Sequence, residues 1–185
     1  MQEKKIFKAT LTITKMIWAC HLGDLHMCKL LLKHGSDDQL NVPACNQSSP
    51  LAFACEQGNI EMAQWLVENS KHSDVNKVDD HGRTPLFHTI CKGKRNTAEW
   101  LLSVGASLKI VDIKNLNLLH VICMSSLPNN KTFELFIWLY DAGLVDIREK
   151  SKYGATLMFF ACMNGNLKIC KWLFQHGAHD DIRTH

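Results

Sequence analysis

One residue pair recurs at nearly constant intervals along this chain, and that periodicity limits the fold more than any other feature. Leu30-Leu31 returns as Trp65-Leu66, Trp100-Leu101, Trp138-Leu139 and Trp172-Leu173, at spacings of 35, 35, 38 and 34 residues. Five residues after the first member of each pair stand Gly35, Ser70, Gly105, Gly143 and Gly177. A third series, Met16, Leu51, Leu86, Leu119 and Met158, runs in step, and Gly23, Gly58, Gly93 and Gly165 lie seven residues beyond four of its members. Three independent series with one period describe five similar units. A unit this small cannot bury its own apolar face, so the units must stack.

Each unit has its own local logic. Ser49-Pro50 precedes Leu51, and Thr84-Pro85 precedes Leu86. A hydroxyl cap followed by proline at the first helical position starts a helix, because proline there forfeits no needed N–H. Small and apolar residues follow, as in Ala52-Phe53-Ala54-Cys55, and Gly58 ends the helix in a positive-φ conformation. A second helix opens near Asn59, with Ile60, Met62, Ala63, Leu66 and Val67 at helical spacing. Links such as Asp79-Asp80-His81-Gly82-Arg83 carry tight-turn chemistry.

The stretch Asp79-Asp80-His81-Gly82-Arg83-Thr84-Pro85-Leu86 resembles the opening of an ankyrin repeat. Gly58 to Leu66 and Gly165 to Leu173 resemble its second helix. The resemblance runs from about Met16 to Arg183. It implies an all-α solenoid of antiparallel helix pairs with projecting turns, used for protein recognition and not for catalysis. The expected units span 16–43, 44–78, 79–111, 112–150 and 151–185. Residues 1–15 are expected to fold over the first unit as a cap with Ile6, Phe7, Leu11 and Ile13. The closing Asp180 to His185 stops where a sixth turn would begin, which leaves Trp172 and Phe174 thinly covered and suggests a longer native chain or a partner there.

Departures from the pattern are informative. In the fourth unit Asn115 replaces the turn glycine, and asparagine tolerates positive φ next best. About five extra residues around Ser126 to Asn130 read as a surface loop between that unit's helices, and the second unit's exit, Ser70 to Asp74, runs about two residues long. The third unit reads His88-Thr89-Ile90 where the family has Leu-Ala-Ala, so its packing should be the least regular. His120 takes the place of the family's turn-bracing histidine.

Composition excludes more than it assigns. With 21 basic and 18 acidic residues the net charge is +3, and the pI near 8.4 is below that of most phosphate-gripping domains. Nucleic acid is further disfavoured because no aromatic residues interleave the basic groups Lys92 to Arg95 and Arg148 to Lys152. The longest apolar run, Phe133 to Val145, is too short for a membrane span of about 20 residues. The basic opening lacks the apolar core of a signal peptide.

The 8 cysteines include no CxxC pair and read as reduced thiols of a cytosolic, alternatively nuclear, protein. Cys20, Cys55, Cys123 and Cys162 share one repeat position. Successive units stack about 10 Å apart, too far for one metal or disulfide. Cys91 and Cys45 are off register and expected to be more exposed. The 10 histidines show no zinc-finger spacing, and His176, His179 and His185 form the nearest cluster. The Trp series should pack in the core. No phosphate loop, nucleophile elbow or kinase signature occurs, so no catalytic residue, cofactor or metal is expected.

A module of this family would bind a protein or peptide, acidic in character given the basic turns, through a concave face. Carried over by position, its turn tips are Cys45, Asn46 and Ser48; Asp80, His81 and Arg83; Ile113, Lys114 and Leu116; and Lys152, Tyr153 and Ala155. First-helix ends add His21, Glu56, Gln57, Cys91, Lys92, Met124 and Met163. Exposed Ile113, Leu116, Tyr153, Met124 and Met163 would be unusual on a purely solvated rim, which favours the third to fifth units as the contact region. The alternatives are a regulatory arm of a larger enzyme or channel and a structural spacer in an assembly.

Overall fold

A computed structural model of the chain describes residues 15–34, 43–44, 46–70, 74–143 and 146–178. The expected N-terminal cap, Cys45, the centre of the second unit's exit and the stretch from His179 onward lie outside these. Among the described residues there are ten helices and no strand. Helix α1 covers 15–22, followed by α2 (Leu25–Lys33), α3 (Pro50–Gln57), α4 (Ile60–Asn69), α5 (Pro85–Cys91) and α6 (Arg95–Ser103). Next come α7 (Leu118–Cys123), α8 (Asn129–Asp141), α9 (Leu157–Met163) and α10 (Leu167–Gln175). Successive pairs form five helix–turn–helix units. First helices α3, α5, α7 and α9 stack in a row, and each packs on its own second helix.

The caps sit where the residue chemistry requires. Ser49, Thr84, Asn117 and Thr156 accept hydrogen bonds from the amides of Ala52, Phe87, His120 and Phe159 at 3.2, 3.3, 3.0 and 3.3 Å. Each removes one of the orphan donors that open a helix. His120 completes a capping box with Asn117, and the Asn117 amide donates to Glu149 Oε2 at 2.6 Å, holding the fourth unit's exit against its first helix. The imidazole thus braces the turn, as expected. Its burial pushes the ring's pKa down, although Glu149 and the nearby Glu149 and Ala155 carbonyls pull the other way.

The links are stacked turns. In each, a closing bond joins residues four apart: Ala44 to Ser48, Asp79 to Arg83, Asp112 to Leu116 and Ser151 to Ala155, with N···O of 2.9–3.1 Å. Gln47, Gly82, Asn115 and Gly154 take the positive-φ position, at 60°, 73°, 56° and 75°. Asn115 therefore does keep the turn. Backbone bonds run from turn to turn, from Asp80 N to Asn46 O, Ile113 N to His81 O and Lys152 N to Lys114 O, at 3.1, 2.9 and 2.8 Å. This ladder fixes the register between units.

The core runs the length of the array. In the repeated pairs the second residue is the deep one: Leu66, Leu101, Leu139 and Leu173 are buried, while Trp65, Trp100, Trp138 and Trp172 are half-buried against them. One residue along a helix turns about 100°, enough to move a side chain from the core axis to its margin. In the third unit Thr89 is buried by bonding its hydroxyl to the Pro85 carbonyl at 2.7 Å, and Ile90 fills the place used by cysteine elsewhere.

The expected loop at 126–130 is shorter than the sequence suggests. Asn129 and Asn130 are the first residues of α8, which at 13 residues is the longest helix described. Leu127 reaches back against the preceding unit, so that a Cβ added at Gly93, φ 65°, would lie 2.7 Å from its Cδ1. Gly165 has nearly the same φ, 66°, with nothing within 4 Å. Gly93→Ala should therefore cost about 1–2 kcal/mol and Gly165→Ala the lower end of that range, since both pay for positive φ but only one meets Leu127. Urea denaturation of the two variants measures the difference, and equal losses would mean that Leu127 gives way freely.

Candidate functional site

The face formed by the turns and the exposed sides of the first helices holds most of the residues singled out in the sequence. Two lines of side chains project from it. Along the turns, Asn46, Asp80, His81, Lys114 and Lys152 are exposed, and Ile113 and Tyr153 are 58% and 76% exposed. At the first-helix ends, Gln57, Lys92, Met124 and Met163 are exposed, while Glu56 and Cys91 are half-buried. Gln57 contacts His21 Nδ1 at 3.3 Å, and Lys92 pairs with Glu56 at 3.1 Å, bridging α5 to α3. Burial pushes the Cys91 thiol up to about 11 despite the neighbouring Arg83 and Lys92, so it is protonated near neutral pH and a poor nucleophile.

Three residues placed at the rim by sequence lie inside it. Leu116 is buried rather than exposed, as are Ser48 and Ala155. All three occupy the last turn position, whose carbonyl accepts the closing bond from Asp112, Ala44 or Ser151. That bond folds the residue under the turn toward the helix that follows. Leu116 in addition donates its amide to Asp112 Oδ1 at 3.0 Å. A tip assignment by position alone misses this, because the chain reverses there.

What Leu116 does instead is line a groove. Between α5 and α7 a cavity of about 260 Å³ is bounded by Arg83, Phe87, Cys91, Leu116, Val121 and Met124, with Ser125 and Ser126 at one end. Arg83 stands over the Phe87 ring at 5.5 Å and reaches Asp112 Oδ2 at 3.6 Å. Its Nε and the Ser125 hydroxyl are buried without a hydrogen-bond partner. The groove thus combines apolar walls with a cation at its mouth. Phe87, Val121 and Ser125 are lining residues that the repeat pattern alone does not mark.

The remaining sequence candidates take structural places. Arg95 pairs with Glu99 at 2.8 Å and lies over Trp138 at 5.4 Å, so the basic run at 92–95 is partly engaged within the array. His176 stacks on Trp172 at 3.7 Å, while His179 and His185 lie outside the described residues. Among the described residues no three His, Cys, Asp or Glu side chains converge as a metal site, and no helix is long and apolar enough to cross a membrane.

Comparison with known proteins gives the same architecture independently. A family model described as ankyrin repeats in three copies matches residues 16–112, and another described as ankyrin repeats in many copies matches residues 119–174. A search of curated proteins finds no match. Ankyrin repeats are generally protein–protein interaction modules, and proteins built from them are typically non-catalytic. Capped helix pairs, stacked turns and matches over most of the length lead to one conclusion: the chain belongs to the ankyrin-repeat family.

Proposed function

We propose that this array is an adaptor or scaffold of the cytosol or nucleus that binds a protein or peptide segment along its turns and first helices. The contact region is the third to fifth units. The observation that supports this most directly is the exposure of Ile113 and Tyr153 on successive turns beside Met124 and Met163 on successive first helices. Large apolar side chains gathered on one face are the usual anchors of an interface, and methionine adapts to varied partners. Arg83, Lys92, Lys114 and Lys152 lie on the same face and favour an acidic partner.

The test is affinity capture from lysate with wild type and an Arg83→Glu/Tyr153→Ala variant whose fold is verified by circular dichroism. The variant should retain at least roughly 10-fold less of the partner. Tyr153→Ala alone, at a residue outside the core, controls for folding. Equal capture by both proteins, or none by either, would favour the spacer or the regulatory arm.

A further inference from the structure

Two cysteine pairs have the same spacing of eight residues: Cys20 with Cys28, and Cys162 with Cys170. In both, the first thiol lies in the closing turn of a unit's first helix and the second in the opening half of its second helix. The tight turn between these helices brings the sulfurs together, at 3.8 Å in the first unit and 3.5 Å in the fifth. The one-repeat spacing of the other cysteines hides this pairing within a unit.

The two pairs differ in access. Cys20 and Cys28 are fully buried, whereas Cys162 is exposed and Cys170 half-buried. Cys20, Cys55 and Cys123 occupy the position of Cys162 in the other units and are buried, whereas Cys162 is exposed. Cys123, whose thiol burial pushes far up, remains inside and neighbours Cys170.

We propose that Cys162 and Cys170 form an accessible dithiol that reacts with small-molecule disulfides, glutathione disulfide being the representative, to give a disulfide across the α9–α10 turn. The inference is independent of the protein-binding reading. The sulfurs, already at 3.5 Å, must close to a bond of about 2.05 Å. The exposed Cys162 thiolate attacks one sulfur of glutathione disulfide, whose S–S bond breaks as one glutathione leaves as thiolate. Cys170 then gives up its proton to solvent, attacks the Cys162 sulfur and expels the second glutathione thiolate. Each glutathione thiolate takes up one proton. The protein loses two protons and two electrons, and one glutathione disulfide becomes two thiols. Burial and the contact with Cys162 push the Cys170 thiol up to about 11, which fits it to the second, resolving step and not to the first attack.

The full chain is incubated with glutathione disulfide under native conditions, its remaining thiols are alkylated, and it is analysed by intact mass and peptide mapping. The expected product is a single Cys162–Cys170 link with a loss of about 2 Da before alkylation. Cys20 and Cys28 should become alkylated only after denaturation. Cys170→Ser should stop at a Cys162–glutathione adduct, and Cys162→Ser should leave Cys170 unmodified, with circular dichroism confirming that both variants fold. A stable glutathione adduct on the wild-type chain, an unreacted pair, or a link through Cys45 or Cys91 would each overturn the proposal.

Discussion

Replacing Phe136 by alanine should lower the unfolding free energy by about 3–5 kcal/mol, the range for removing a fully buried aromatic ring. Phe136 is 0% exposed in α8, and its ring meets Trp172 of α10 edge-to-face at 5.3 Å between centroids. Trp172 is in turn packed by Tyr140 at 4.6 Å and stacked by His176. One ring therefore joins the second helix of the fourth unit to that of the fifth. Because stability in a stacked array comes largely from such interfaces, the loss should fall first on the fifth unit. Denaturant unfolding followed by Trp fluorescence should separate into an early step and a later one, so a single two-state midpoint would no longer describe the variant. A loss below about 1 kcal/mol would contradict the assigned packing. Tyr153→Ala, at an exposed ring, should stay within about 0.5 kcal/mol of wild type.

Asp79→Ala should cost about 2–4 kcal/mol, because one buried carboxylate holds a whole turn. Its Oδ1 accepts the amides of His81 and Arg83 at 2.8 and 2.9 Å, and its Oδ2 accepts His88 Nε2 at 3.0 Å. Removing it leaves donors in the turn and α5 without an acceptor, next to the ladder bond that carries Ile113 N to His81 O. Burial works against ionisation of Asp79, yet the Arg83 and His81 amides together with the His88 ring hold its carboxyl below the usual carboxylate range. A carboxylate whose folded pKa lies under its unfolded value, about 3.9, stabilises fully above that value and loses the contribution as pH falls through the folded one. Wild type should accordingly lose stability on acidification below about pH 4 more steeply than Asp79→Asn, and parallel melting curves from pH 6 to pH 3 measure it. Parallel losses in the two proteins would remove Asp79 from the acid transition.

Much of this architecture was legible in the residues alone, for a physical reason. Caps and glycine stops act over a few residues, so Ser49-Pro50, Thr84-Pro85 and Gly58 determined where helices start and end whatever surrounds them. The 34–38-residue period required stacking, since no unit could bury its own apolar face. The turn at Asn115 was likewise readable, because tolerance of positive φ belongs to the residue.

Only the tertiary structure decided how deep each side chain lies and which distant groups meet. The repeated pair marked the core, but the helix phase put Leu66 and Leu101 at its centre and the tryptophans at its edge. Leu116 looked like a rim residue until the turn folded it into the groove beneath Arg83. The extra residues near 128 became the start of a longer helix, with Leu127 set against Gly93 of the preceding unit. Cys162 and Cys170 meet through the antiparallel course of two helices, and Cys162 is exposed where its counterparts Cys20, Cys55 and Cys123 are buried. Local bonding chemistry is written in neighbouring residues, whereas burial and proximity depend on what the rest of the chain places opposite.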